Sequence, residues 1–491
     1  VGFINSFLET KDTTFMNTPL HTKTKIVATL GPNSSEVGMI ERMLNNGLHV
    51  ARINMSHGDH AEHALKIKNA RKASEKSMLA LAILQDLAGP KIRIGDFNTE
   101  EVTLVSGKKL VLTTEKCVGT VDRVSLNYVK LPQEVSKGMT IYLNDGKQSL
   151  MVDLVTETEI HTTIIAGGTI RGRRGVNVPD ANLSISSLTP KDKKDLIFGI
   201  EQKVDFITLS FVRTADDIHL LRKLISKATT RSIGIVAKIE TKSAIEHLEA
   251  IIEASDIIMV ARGDLAIEMP LEKVPLLQKR IISLANKAGK PVITATQMLD
   301  SMRVAVTPTR AEVTDIANAI LDGTDAIMLS DETAVGLHPD KTVEIMAKVA
   351  YEVETDPYFI ERQNQWDFAP TSVCDAVGQS IAKSVLATGA KAVIAFSESG
   401  YTGCMVARYK PRVPIFVLTP HKDTFNKMLV VYGCYPILLS KNAKGLPEAQ
   451  ALARKVLLGN GIAEKGDTFV LGAGMPFGTP GSTNMMIVEQ I

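Results

Sequence analysis

The chain has 491 residues, 44% hydrophobic and 22% charged, so it is too long for one ordinary domain and fits two to four globular ones. A net charge of +2, a single Trp and a 5% aromatic share argue against nucleic acid or an anionic membrane surface as the main partner. No apolar run approaches membrane-spanning length, and Cys117, Cys374, Cys404 and Cys434 lack metal or redox spacing, which reads as reduced thiols in a cytoplasmic protein. Residues 1–22 are polar and irregular and read as an N-terminal extension, with Met16 one candidate start.

From Lys23 the pattern turns regular. KTKIVATLG reads as a strand and Ser34 to Leu44 as a short helix capped by Ser34 or Ser35. HVARINMSHG is a second strand, His60 to Ser74 a helix and LAILQDLAGPKIR a third strand. The alternation then stops. Residues 92–187 are rich in Thr, Val and Gly, with turns at Ser106-Gly107, Asn144-Asp145-Gly146 and Gly167-Gly168, and read as an inserted β lid domain. After Pro190 strands and helices alternate again. DFITLSF, GIVAKIE, IIMVARGD, PVITATQ and DAIMLSDE bring the strand count to eight, which predicts a (β/α)₈ barrel over 23–91 and 188–354. Pro357 and Pro370 mark a linker over 355–370, and 371–491 reads as a C-terminal α/β domain.

The stretch from Gly234 to Asp264 is the most informative. Two strand-length apolar runs flank one amphipathic helix, the pattern of a parallel βαβ unit. Lys238 and Glu240 share one face at the end of the first strand, as Arg262 and Asp264 do at the end of the second. Charges at the carboxyl ends of buried parallel strands need partners, and in such barrels ligands bind there. Two carboxylates suit a hard divalent cation, and a lysine beside them suits an anionic substrate group; a buried structural ion pair is the competing reading. Other strands end in polar groups too: Arg52, Asn54 and Ser56; Asp86; Ser210; Thr296; Ser330 and Glu332. Seven polar strand ends at one rim are hard to explain as packing.

The motifs VARINMSHG, LQDLAGPKIR, AKIE, MVARGDLAIEMP, PVITATQMLDSM, PTRAE and MLSDETA resemble those of the pyruvate kinase family, in order and spacing, from Lys23 to the C-terminus. The resemblance implies phosphoryl transfer from phosphoenolpyruvate to ADP, giving pyruvate and ATP. It implies Mg²⁺ held by Glu240 and Asp264, with Mn²⁺ a possible substitute. Lys238 would meet the phosphoryl group in flight, Arg52 would grip it from the other side, and N–H groups near Gly263 and Asp264 would take the substrate carboxylate. Thr296 would stand near the carbon that is protonated, with a water chain through Ser330 and Glu332. Arg93, Lys191, His57 and Asn54 would serve the nucleotide.

Many family members hold K⁺ at the positions of Asn54, Ser56, Asp86 and Leu87. Here the Leu87–Lys91 combination resembles the K⁺-independent branch, with the Lys91 ammonium in place of the ion. Asp331 and Ala266 stand where the family usually has Gly, and Leu209 where it has Ala. The resemblance also implies a homotetramer, with Arg310 reaching a neighbouring subunit, and a phosphorylated small-molecule activator at Ser397, Ser399, Gly400 and Thr402, near the turn-rich run Gly478 to Thr483. Glu398 and Tyr401 replace basic residues of members that respond to fructose 1,6-bisphosphate, which predicts a monophosphate instead. A lyase of similar fold and a catalytically inactive metabolite sensor are the alternatives.

Overall fold

The computed structural model describes residues 13–14, 22–363, 368–479 and 481–491. Eight short runs, almost wholly buried, form its centre: β1 (Lys25–Thr29), β2 (Val50–Asn54), β3 (Ala82–Asp86), β4 (Phe206–Leu209), β5 (Gly234–Ile239), β6 (Ile257–Ala261), β7 (Val292–Ala295) and β8 (Ala326–Leu329). Strands covered on both faces must be apolar throughout, which is why they read as continuous hydrophobic runs. Each pairs in parallel with the next, β8 pairs with β1, and the barrel is closed. Ile207, Ile235, Val260 and Leu329 pack outward against helix residues such as Ile218, Ile251, Ile281 and Ile320.

Helix boundaries follow their caps. Thr189 begins α1 (Pro190–Glu201) with a capping box to Asp192, and Thr309 does the same for Arg310–Leu321 through Glu312. The first barrel helix starts later than its serines suggested, at Val37 after Glu36, because Ser34 Oγ instead accepts from Gly31 N–H at 3.1 Å. The helix expected as one piece after Glu240 is two, Lys242–Glu246 and Leu248–Ala254, meeting at His247.

The chain leaves the barrel after β3 and forms a six-stranded antiparallel-rich sheet and a two-stranded ribbon between Glu101 and Asn177, with a core of Leu110, Ile141, Leu150 and Ile160. Both connections meet at one carboxylate. Asp192, wholly buried, accepts Gly89 N–H at 3.1 Å on the way out and Thr189 N–H at 2.9 Å on the return.

The C-terminal domain is a six-stranded sheet. Val393–Phe396, Ile415–Thr419 and Thr468–Gly474 are joined in it by Cys434–Leu439, Thr483–Gln490 and a two-residue strand, Thr13–Thr14. Thr13–Thr14 pairs antiparallel with Leu439 and Leu438, so these two residues of the expected N-terminal extension cap this sheet's edge; Met16 lies outside the described residues. The stretch expected as a linker opens with helix Pro357–Gln363, because a proline is as good a helix start as a breaker. Phe359 from it is buried in the barrel core. The domain docks on the amino ends of the strands, opposite the mouth. Lys410 Nζ donates to Asp325 Oδ1 at 2.8 Å just before β8, and Asn426 Nδ2 donates to Asp205 Oδ1 at 2.6 Å just before β4.

Candidate active site at the barrel mouth

Strand alternation turns Lys238 and Glu240 the same way at the end of β5. Lys238 Nζ donates to Ser210 Oγ at 2.9 Å and forms an ion pair with Glu240, 3.0 Å from its Oε2. Burial alone would lower the Lys238 pKa. The carboxylates of Asp86, Glu240 and Asp264 outweigh it, against repulsion from Arg52, and hold the group above the ordinary lysine value. Glu240 is wholly buried, and burial pushes its carboxyl up, helped by Asp264 and opposed by Lys238 and a 2.6 Å bond from Phe211 N–H. Phe211 reaches that position with φ +55°, a conformation uncommon outside glycine.

Arg52, on β2, is fixed from two sides. Its Nε donates to Asp86 Oδ2 at 2.8 Å, and its Nη1 donates to Thr29 Oγ1 at 2.8 Å. Register explains the first contact: Arg52 is opposite Leu84 on β3, so Asp86 is its diagonal neighbour on the same face.

β6 stops at Ala261, one residue short of the expected charges. Arg262–Glu268 is a helix, α2, so Arg262 and Asp264 do not share a strand face. Arg262 turns away and clasps β7: Nε donates to Ala295 O at 3.1 Å, Nη2 to Thr296 O at 2.6 Å and Nη1 to Asp315 Oδ1 at 2.7 Å. Asp264 stays half-buried in the first turn of α2. Gly263 N–H, expected to meet a substrate carboxylate, donates to Thr296 Oγ1 at 2.9 Å. Thr296 has φ +73° and Gln297 φ +54°, and a β-branched residue there is a true backbone outlier.

Glu332 is held by backbone at the ends of β7 and β8. It is 1% exposed, and its oxygens accept Ser330 N–H at 2.6 Å and Leu299 N–H at 3.3 Å, which braces the loop after β7 against the end of β8. Burial raises its pKa against those backbone bonds. Asp331 points outward, with Arg303 Nη2 4.0 Å from its Oδ2.

Two carboxylates thus meet at the mouth, Glu240 wholly buried with its Oε2 3.0 Å from Lys238 Nζ, and Asp264 half-open. That donor set fits a hard divalent cation whose other ligands are substrate oxygens and water.

Residues 21–343 match the family of the pyruvate kinase barrel domain, and residues 375–489 that of the pyruvate kinase alpha/beta domain. The chain belongs to the pyruvate kinase family. It is 43% identical over 468 residues to a pyruvate kinase of Thermotoga maritima, covering 95% of this chain and 99% of that one. It is 41% identical over 472 residues to that of Geobacillus stearothermophilus (96% and 80%) and 40% identical over 481 residues to that of Thermococcus litoralis (97% and 100%). The pyruvate kinase reaction, phosphoryl transfer from phosphoenolpyruvate to ADP with a divalent metal, goes with that membership.

The other pyruvate kinase positions fall in three places. Lys191, on α1, donates to Met55 O at 2.8 Å and to Asp195 Oδ2 at 2.5 Å, beside the exposed His57. Arg93 lies in the lid, its Nη1 on Arg173 O at 2.9 Å. Lys91 also turns to the lid: its Nζ is 3.4 Å from Asp145 Oδ1, and among the described side-chain contacts it has none with the four residues whose cation it was expected to replace. Those four are engaged with one another and with the site. Asn54 Oδ1 accepts Ser56 N–H at 3.1 Å, Asp86 holds Arg52, and Leu87 O accepts Ser210 Oγ–H at 2.7 Å.

Far from the mouth, Ser397 and Thr402 line a cleft of about 370 Å³, counting its open side, with Asn442, Gly478 and Thr483. Thr402 Oγ1 lies 2.7 Å from Thr483 Oγ1. Of the other two residues expected there, Ser399 is exposed and Gly400 is buried beneath the loop, its N–H on Ser397 Oγ at 3.0 Å; neither lines the cleft.

Sequence reasoning noted Ser210 as a strand end but did not assign it to the site, and it missed Phe211, Asp192 and Asp195. The last two carried a signal: TPKDKKD contains a capping box and a Lys–Asp pair four residues apart. Phe211 carried none, since its contribution is a backbone N–H.

Proposed function

We propose that the barrel mouth performs the pyruvate kinase reaction with Mg²⁺, Lys238 and Arg52 as its charge-stabilising groups. The observation that carries this is the interlocked set Arg52–Asp86–Ser210–Lys238–Glu240, in which two cations are held rigid at one mouth by carboxylates and hydroxyls. Phosphoryl transfer needs positioning and charge neutralisation more than covalent chemistry, and preorganised charges supply both.

Glu240 and Asp264 would hold the Mg²⁺, or Mn²⁺ in its place, which when bound offsets substrate negative charge. Lys238 remains an ammonium at neutral pH because three carboxylates face it, so it can stabilise the phosphoryl group as charge redistributes. Arg52 grips the same group from β2. Thr296 Oγ1 accepts Gly263 N–H from α2 at 2.9 Å, and its own proton goes to Ala295 O at 2.6 Å. Delivering a proton to the product carbon then runs through Thr296 and a water chain through Ser330 and Glu332. Arg93, Lys191, His57 and Asn54 serve the nucleotide phosphates.

K⁺ is not required in this reading. The support is Leu87 and Lys91 in the sequence and the internal engagement of Asn54, Asp86 and the Leu87 carbonyl. The activator is a monophosphate such as AMP or a sugar phosphate. Among its described lining residues the C-terminal cleft carries no Lys or Arg, and Glu398 faces His421 Nε2 at 2.6 Å. The assembly is a homotetramer. Leu271, Leu276, Val304 and Val306 are more than half exposed, and Arg310 extends from the same region without a side-chain partner among the described contacts. The enzyme acts in the cytoplasm without nucleic acid or membrane; no described helix is long and apolar enough to cross a membrane.

The test is a coupled assay of the purified chain with phosphoenolpyruvate, ADP and Mg²⁺. Equal amounts of pyruvate and ATP are expected. Metal-dependent loss of phosphoenolpyruvate without ATP would instead mark a lyase or phosphatase.

A further inference from the structure

Lys191 is more than half exposed, and a long side chain at a helix start ordinarily samples many rotamers. Here it does not. One turn along α1, Asp195 is 2% exposed and offers a different partner to each oxygen: Oδ2 to Lys191 Nζ at 2.5 Å and Oδ1 to His60 Nε2 at 2.8 Å. Lys191 Nζ also donates to Met55 O at 2.8 Å, so two of its three N–H groups are fixed and the third has one direction left. The support is itself rigid. The His60 ring stacks on Phe198 with centroids 4.4 Å apart and planes 14° apart, and Asp195 O accepts Gln85 Nε2–H at 2.6 Å from β3.

We infer that Asp195 is a positioning residue for the reaction: it presets the Lys191 ammonium toward the nucleotide phosphates, with His60 locking the carboxylate. This rests on the reading of Lys191 as a nucleotide-phosphate group. Rotamer freedom surrendered before binding is not lost on binding, so the arrangement favours ADP affinity. An opposing effect exists, because a carboxylate beside Lys191 weakens its pull on an anion. The two effects have opposite signs, so one substitution separates them.

The experiment is steady-state kinetics on the full chain carrying Asp195→Asn, Lys191→Ala or both, varying ADP and phosphoenolpyruvate separately. In Asp195→Asn the KM for ADP should rise roughly fivefold or more, with the KM for phosphoenolpyruvate within about twofold. On the Lys191→Ala background the same change should add less than about twofold, since residues acting as a unit are not additive. If Asp195→Asn folds poorly, Asp195→Glu, which displaces the same carboxylate, should raise the KM for ADP in the same direction. An unchanged or lower KM for ADP in Asp195→Asn, while Lys191→Ala raises it, overturns the positioning role alone. Equal rises in both KM values, or additive effects in the double variant, overturn it in favour of a purely structural role. An unaltered KM for ADP in Lys191→Ala removes the underlying nucleotide reading, and this inference with it.

Discussion

Gly263 and Thr296 hold each other on the rim of the mouth: Gly263 N–H donates to Thr296 Oγ1 at 2.9 Å, joining the first turn of α2 to the end of the neighbouring strand β7. The threonine sits at φ +73° to make this contact. Strain of this kind persists where the surroundings over-determine it. We expect Thr296→Ala to lower kcat by about 10²-fold, within the range of general acid–base contributions, while the KM for phosphoenolpyruvate changes little. Thr296→Gly should be equally slow but more stable than Thr296→Ala by about 1 kcal/mol, because glycine accepts positive φ. Stopped-flow and thermal unfolding separate the two effects. A Thr296→Ala enzyme with normal kcat would remove Thr296 from proton delivery.

Glu240→Gln keeps the shape and the Phe211 N–H contact but removes the charge. The apparent Mg²⁺ requirement should rise by roughly tenfold or more, equal to about 1.4 kcal/mol. A metal titration of rate against free Mg²⁺ measures it, and an unchanged midpoint would take Glu240 out of the ligand set.

Much of this was legible before any coordinates. The barrel, the lid and the rim of polar strand ends follow from apolar runs and turn residues, because a strand buried on both faces has few other compositions open to it. What the sequence hid is what depends on where chains stop. Whether Arg262 ends a strand or begins a helix turns on one residue, and that residue decides whether it faces substrate or clasps β7. The orientation of Lys91 was hidden too, since a long side chain at the edge of the lid is free to choose between Asp145 and the mouth. That two backbone N–H groups hold the Glu332 carboxylate was hidden as well, because it is a tertiary fact.

Full activity is expected with Mg²⁺ in a buffer whose only monovalent cation is a bulky organic one. Lys91→Glu should lower the rate and make part of it recoverable by K⁺. A wild-type rate that rises tenfold or more on adding K⁺ at constant ionic strength, a gain of about 1.4 kcal/mol, contradicts K⁺ independence.

Lys25 is wholly buried at the junction with the C-terminal domain, its Nζ 4.1 Å from the Tyr435 ring centre and without a hydrogen-bond acceptor among the described residues. Burial lowers its pKa to about 8. A lysine depressed on folding penalises the native state while both states are protonated. The penalty is present below pH 8 and is relieved as pH rises toward the unfolded value of 10.5, where the unfolded chain holds the extra proton. Lys25→Met should therefore stabilise the protein at pH 7 by about 1–2 kcal/mol after the lost cation–π contact is counted. The advantage should shrink at pH 10. Thermal unfolding of both proteins at the two pH values checks it, and a variant less stable at pH 7 would show the contact with Tyr435 to dominate.

Lys238 is expected to act on the phosphoryl group in transit rather than merely to hold the fold. Single-turnover transfer by Lys238→Met, with phosphoenolpyruvate and Mg²⁺ saturating and ADP added last, tests it most directly. Removing a preorganised charge that acts mainly in the transition state should slow transfer by about 10²–10³-fold, or ~3–4 kcal/mol, while Mg²⁺ and phosphoenolpyruvate affinities stay within a few-fold of wild type. Near-normal transfer in that variant would remove Lys238 from the transfer step.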